Sequence, residues 1–388
     1  MSVLATQPVD VRAAESAGSR APVPAAGPRR WLRLGEIRFD GRRNALNLVR
    51  LGLALAVLVS HGFVLRGRPE PTFADVNLGR WAVYGFFAIS GYLITGSRLS
   101  SPLPAYVLRR LARIYPAFVV CLVVTAFGFA PVAYWHDHGS IDGFFGATST
   151  TPLNYVLSNL TLKVVAFGVA GTPSGVPFPG AWDGSLWSLY YEAVCYALVA
   201  ALLSVVAFRR RSALVLGVAF ALSVLLQAQM ELVSRYAEGN GDLALLAPLL
   251  PFFLAGGLVH MLRNRLVLTW PGALACAAGT AGLALALPTY GVQLAAPLVV
   301  YLMLWLGASL PCPEWVRRND VSYGVYIYAF PVQQLLLVLG ATTWRMVAFD
   351  AAVVALTAAL AVASWFAVEK PVMARAHAVT RRPAPTGR

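Results

Sequence analysis

Apolar residues in this chain neither alternate nor recur at amphipathic spacing. They fill long blocks, such as 186–208 and 283–310, that exceed any core strand or surface helix. Charges and Pro or Gly clusters interrupt the blocks. A crossing of the hydrocarbon core takes about 20 residues of helix, and that length divides 44–368 into ten spans. They begin near Asn44, Gly79, Tyr115, Leu186, Ala213, Leu243, Leu266, Gly291, Ser322 and Met346. The breaks at Arg209 to Arg211 and at Arg263 and Arg265 are sharp, and the one around Pro288 to Gly291 is the shallowest. The pattern predicts an all-α, polytopic integral membrane protein of about ten transmembrane helices. It divides the chain into a disordered basic tail over 1–43, a transmembrane domain over 44–373 and a second tail over 374–388.

Composition agrees with that pattern. Of 388 residues, 58% are hydrophobic and 12% charged, with mean hydropathy +0.65, against roughly 25% charged in soluble domains. A soluble enzyme is excluded. The net charge of +14 suggests nucleic acid at first sight, but the cations sit at the ends of apolar blocks and form no patch with interleaved aromatics, so no nucleic-acid partner is expected. Their placement sets an orientation instead. On one side of the ten spans lie 24 of the 31 Lys and Arg residues, on the other 6, and Arg50 lies inside the first span. Cytoplasmic loops retain such cations, so both termini are expected in the cytoplasm and the protein in the plasma or inner membrane as a multi-pass chain among lipids. The first 43 residues carry no apolar signal-peptide core. Four scattered cysteines without a CxxC pair read as free thiols. The absence of Walker A, HExxH, GxSxG and GxGxxG patterns leaves ATP-driven pumping, zinc proteolysis and serine-hydrolase chemistry without support.

The longest outer connection, Ala133 to Ser185, contains an apolar run from Leu153 to Val169 that predicts a re-entrant or interfacial helix, then a Gly- and Pro-rich stretch from Gly171 to Gly184. His136, Asp137 and His138 lie there without a third fixed ligand, so they read as a solvated loop and no metal site is expected.

Ionisable side chains at membrane depth cost about 2.5–3.5 kcal/mol each on insertion scales, so each calls for a reason. Arg50 and His61 are 11 residues apart, which puts them on one helix face about 16 Å apart. Snorkelling of Arg50 and a carbonyl partner for His61 is the plain reading; a shared reaction path is the functional one. Glu192 sits within the fourth span, as an acidic partner for an Arg or as a working carboxylate. Arg109 and Arg113 share a helix face and Arg110 points elsewhere; the three fit a positive-inside anchor or, through guanidinium forks, a phosphorylated cofactor. Ser90, Gly91 and Gly96, in a span that also holds Tyr84, Phe86 and Phe87, permit close helix approach.

Taken in order, these segments resemble the membrane-bound acyltransferase 3 family, of the O-antigen and exopolysaccharide O-acetyltransferase type, over nearly all of Asn44 to Met373. The resemblance rests on RLGLALAVLVSHGF with Arg50 and His61, YGFFAISGYLI from Tyr84, RRLARIYPAF from Arg109, LWSLYYEAVCY from Leu186, FFLAGGL at Phe252 and SYGVYIYAFPVQQ at Ser322. Two positions depart from the family pattern. Many members have Asp where Tyr84 stands and His where Ala329 stands, so roles tied to those positions do not carry over. The resemblance implies transfer of an acyl group from cytoplasmic acyl-CoA, acetyl-CoA above all, to a hydroxyl of a sugar or glycosylated acceptor, with no bound cofactor. It makes His61 the general base, since an imidazole with an unperturbed pKa near 6.5 suits deprotonation of an alcohol. Glu192 would orient His61, bind acceptor hydroxyls or pair with Arg50. Arg50, Arg109, Arg110 and Arg113 would meet the phosphates of coenzyme A, and Ser90, Trp187 and Tyr191 would line the substrate site. The alternative is a transporter or flippase for a lipid-linked sugar, because intramembrane charges and Gly- or Pro-broken helices also mark transport paths; the chain shows no pair of matching halves.

Overall fold

The computed structural model describes residues 39–41, 43–236 and 241–380. Nearly all of the tail expected over 1–43, and residues 381–388, lie outside the described residues. The fold is almost wholly helical, in eleven principal helices: α1 (Leu46–Leu65), α2 (Leu78–Ser100), α3 (Leu103–His138), α4 (Pro152–Asn159), α5 (Trp187–Leu202), α6 (Ser212–Ala228), α7 (Leu250–Leu262), α8 (Trp270–Ala286), α9 (Ala296–Ser309), α10 (Ser322–Val338) and α11 (Met346–Thr380). Among the described residues α1, α3 and α11 are long and apolar enough to cross a membrane by length and composition, and α5 to α9 are shorter apolar helices. Leu214, Leu222 and Leu225 on α6 and Leu274 and Leu285 on α8 stand exposed, as side chains facing lipid do.

Local chemistry sets several helix starts. The Asn77 side chain accepts from Arg80 N at 2.7 Å to cap α2, Thr151 caps α4 ahead of Pro152, and Thr269 caps α8 ahead of Pro271. The sole two-stranded sheet among the described residues, β1 (Thr72–Phe73) with β2 (Val76–Asn77), turns through Ala74 and Asp75 at φ 50° and 58°, the left-handed pair that a tight hairpin turn requires.

The expected apolar helices appear with shifted borders. The third starts at Leu103, twelve residues before Tyr115, because Pro102 opens it and Pro116 is accommodated within it. It also runs through His136 and His138 before Gly139, at φ 70°, ends it. Those histidines are therefore the last turn of a helix, a correction to the loop reading. The helix expected over 153–169 is a second correction. It stops at Asn159, whose Oδ1 accepts from Val165 N and Ala166 N and whose Nδ2 donates to Ala166 O, folding the chain back on itself. The domain border at 373 falls inside α11, which continues to Thr380 with Ala376 buried.

Glycines let the central helices touch. A methyl group at Gly91 would stand 1.9 Å from the Phe253 carbonyl oxygen, and one at Gly256 2.3 Å from that of Ala88, so α2 and α7 meet backbone to backbone. Beside that seam Tyr84 stacks on Phe252 with ring centroids 4.3 Å apart. α1 packs against α2 and α10, and α10 against α11, which gathers the polar side chains of four helices around α1.

Candidate active site

Polar groups occur at three levels along α1. At its first turns Arg50 Nη1 donates to Asp320 Oδ2 at 2.6 Å, and Arg113 Nη2 donates to the same oxygen at 2.6 Å. Arg113 Nη1 reaches Glu369 Oε2 at 3.0 Å. The Arg113 guanidinium also lies over the rings of Tyr323 and Trp365. A five-residue π turn, Trp365–Glu369, is what aims both Trp365 and Glu369 inward from α11. Asp320 Oδ1 accepts from Ser322 Oγ and N, tying the cluster to the start of α10. Burial pushes the Asp320 carboxyl up, but Arg50 and Arg113 outweigh it and hold it below the usual carboxylate range.

The Arg113 fork, expected to meet a phosphate, is directed at two carboxylates, and its side chain is only 14% exposed. Arg109 does share the Arg113 face, since its Nε donates to Thr380 Oγ1 of α11 at 2.9 Å and its Nη1 to Ser101 Oγ at 3.1 Å. Arg110 Nε is buried and has no hydrogen-bond partner among the described residues.

At the middle level a cavity of about 30 Å³ lies among Arg50, Phe86, Phe87, Glu192, Tyr323 and Tyr326. That is room for about two waters. Glu192 Oε1 accepts from Ser90 Oγ and from Tyr196 OH, each at 2.7 Å. Glu192 thus faces the cavity with Arg50 without forming an ion pair, and it does not orient His61. Arg50 Nε, buried and unpartnered, is a donor left available at this level. Tyr191 OH donates to Asp242 Oδ1 at 3.0 Å and Trp187 packs edge-on against Tyr191; neither lines the cavity with Glu192 and Arg50.

His61 stands near the far end of α1. Its ring packs edge-on against Phe330 of α10, with centroids 5.2 Å apart, and its buried Nδ1 has no hydrogen-bond partner. The carbonyl partner of the plain reading is absent. Phe330 is held in turn by Phe178 and by the backbone at Gly184, where a methyl group would stand 2.6 Å from its ring. Gln334 Nε2 donates to the carbonyls of Phe178 and Ala181 at 2.7 and 2.8 Å. The same connection carries Asp183, fully buried, which accepts from Tyr155 OH and lies 3.8 Å from Cys121 Sγ. Burial raises the Asp183 carboxyl to about 7.

Among the described residues no group of three or more His, Cys, Asp or Glu is placed to hold a metal ion. His138 instead stacks on Tyr134, and Asp137 accepts from Ser174 Oγ at 2.5 Å.

Sequence reasoning did not find Asp320, Glu369, Gln333 or Asp350. The unmatched charge of Arg50 was the available signal for Asp320, but that residue follows Arg317, Arg318 and Asn319 and reads as part of a solvated loop.

Comparison with known proteins bears on this architecture. A family model described as an acyltransferase domain matches residues 43–368. The O-acetyl transferase of Shigella phage Sf6 is 29% identical over 318 residues, covering 76% of this chain and 86% of that protein. Nodulation protein 10 of Rhizobium leguminosarum bv. viciae is 29% identical over 374 residues, covering 88% and 97%. No solved structure matches. With the family model spanning most of its length and the apolar helices marking a membrane protein, the chain belongs to the acyltransferase 3 family, whose members transfer acyl groups other than amino-acyl groups.

Proposed function

We propose that this acyltransferase moves a short acyl group, acetyl above all, from cytoplasmic acyl-CoA to a hydroxyl of a sugar or glycosylated acceptor at the outer face of the plasma membrane. The observation that carries the reading is the state of α1. One helix holds His61, with an unpartnered buried ring nitrogen, and eleven residues earlier Arg50, with an unpartnered buried guanidinium N–H beside a small, largely apolar cavity that Glu192 also lines. Buried polar groups without partners are costly, and in this reading the two are the working groups on either side of the transfer. The similar phage protein bears the name O-acetyl transferase, which fits an ester-forming reaction on a hydroxyl.

Ten spans with both termini in the cytoplasm put Arg109 and Arg110 where coenzyme A phosphates arrive, and His61 near the opposite face. The acceptor hydroxyl oxygen attacks the thioester carbonyl carbon while His61 takes its proton; the new C–O bond forms, the C–S bond breaks, and the departing coenzyme A thiolate takes up the proton that His61 gives back, which restores the neutral imidazole. Direct transfer is the simpler course, because no Ser, Cys or Lys side chain hydrogen-bonds His61 among the described residues. The cavity beside Glu192 is too small for a thioester as it stands, and Phe86 and Tyr326, packed edge to face at 5.7 Å, are part of its lining.

Oriented vesicles test the reading. Acetyl-CoA labelled in its acetyl group cannot cross a bilayer, so it should label glycan only when supplied to the face on which a reporter fused after Arg211 is found. Labelling from the face that exposes a reporter in the 139–185 connection contradicts the proposed sidedness.

A further inference from the structure

Hydrogen-bond acceptors without donors collect around the turn of α1 that carries His61. Gln333 of α10 is fully buried; its Nε2 donates to Leu58 O at 2.8 Å, and its Oε1 has no partner. The Leu58 carbonyl fixes the orientation of this amide, because the reverse placement sets two oxygens against each other. Asp350, in the second turn of α11, has a buried Oδ1 that also accepts nothing. Both meet α1 at Gly62, the residue next to His61. A methyl group there would stand 2.9 Å from Asp350 Oδ1 and 3.3 Å from Gln333 Nε2, so the missing side chain is what lets the two reach this turn. His61 Nδ1 is a third unpartnered atom on the same turn.

An amide oxygen and a carboxylate oxygen can only accept hydrogen bonds unless the acid is protonated. Left unmatched in a buried site they are costly, and what satisfies them is an O–H or N–H donor. A phosphate or carboxylate ligand fits these two oxygens badly, since it brings acceptors to acceptors, and the nearby cation Arg66 already spends its Nη donors on Met346 Sδ and on the carbonyls of Thr342 and Trp344. A ring bearing neighbouring hydroxyls supplies what is lacking. We propose that Gln333 and Asp350 form a hydroxyl-reading subsite for the acceptor, in which a polyhydroxylated ring donates to Gln333 Oε1 and Asp350 Oδ1 and so presents a further hydroxyl to His61. This rests on the acyl-transfer reading above and adds the residues that choose the acceptor.

The test uses the full chain in membranes, labelled acetyl-CoA as donor, and as acceptor the glycan of the source cells stripped of existing esters by mild alkali. Initial rates are taken against glycan and against donor for wild type, Gln333→Met and Asp350→Leu, each of which removes the acceptor oxygen at similar volume. Each substitution should raise the KM for glycan about tenfold, the effect of leaving one buried hydroxyl partner unmatched, with the donor KM within about twofold of wild type. An unchanged glycan KM in both variants overturns the proposal, and so does a parallel rise in both KM values, which signals a general disturbance of the fold. If Gln333→Met fails to accumulate, Asp350→Leu, at a position whose Oδ1 makes no hydrogen bond to lose, carries the test alone. A wild type that transfers no label under any condition defeats the acyl-transfer reading itself, an outcome distinct from transfer that ignores the two substitutions.

Discussion

Replacing Asp320 by Asn removes the charge on which two guanidiniums converge at 2.6 Å each, while keeping the side-chain volume and an oxygen for Ser322. The Arg50 and Arg113 side chains are 20% and 14% exposed, so water replaces little of what is lost. Removing one partner of a buried ion pair costs about 3–5 kcal/mol, and the remaining contact of Arg113 with Glu369 together with the partial exposure of Arg50 brings the expected loss to about 2–4 kcal/mol. For a chain of this size that lowers the midpoint of thermal unfolding by roughly 2–5 °C. The assay is size-exclusion chromatography of the detergent-solubilised, fluorescently tagged protein after heating, read as the temperature at which half the monodisperse peak is lost. Arg318→Ala is the contrast, because its partner Glu314 is solvent-exposed, and it should produce no measurable change. Asp320→Asn combined with Arg113→Gln should fall short of the sum of the two, since both break one network. A midpoint for Asp320→Asn within about 1 °C of wild type, in an assay that resolves roughly half a degree, refutes the view that this cluster holds α1, α3, α10 and α11 together.

Two further predictions concern packing and pH. Gly91→Ala should all but abolish the folded peak, because its methyl group meets backbone at 1.9 Å and cannot be relieved by a rotamer change, whereas Gly217→Ala, with nothing nearer than 3.9 Å, should leave it unchanged. Asp183 sets a pH trend whose sign follows from its raised pKa. The unfolded carboxyl ionises near 3.8 and the folded one near 7, so the unfolded state sheds its proton first as pH rises, and stability should decline from about pH 4 to about pH 7. In Asp183→Asn that decline should flatten; a midpoint that rises with pH over this range in wild type contradicts the assignment.

Much of the helical plan was legible because apolar length is a strong signal. The starts expected at Gly79, Leu186, Ala213, Ser322 and Met346 lie within one residue of the observed helices. Arg50 and His61 could be placed on one helix by spacing alone. The partners of those residues were not legible, because they come from elements far away in sequence. Asp320 lies 270 residues from Arg50, and its neighbours Arg317 and Arg318 disguise it as surface. Glu369 depends on a π turn that no local propensity announces, and Gln333 reads as an ordinary polar interruption of an apolar helix. Arg113 shows the opposite limit. Its sequence context suits phosphate binding as well as anchoring, and only the two carboxylates around it decide against an open fork. The connection between α3 and α5 was misread for a similar reason, since Asn159 ends a helix by hydrogen bonds that apolar patterning does not register.

The most direct test of the central claim is transfer of labelled acetyl from acetyl-CoA into glycan by wild type and by His61→Ala at matched folded-protein levels. His61 as the base that deprotonates the acceptor predicts a fall of about 10²–10⁴-fold, the usual range for loss of a general base, with the donor KM little changed. Transfer by His61→Ala within a few-fold of wild type contradicts it, and the unpartnered ring on α1 would then need another explanation.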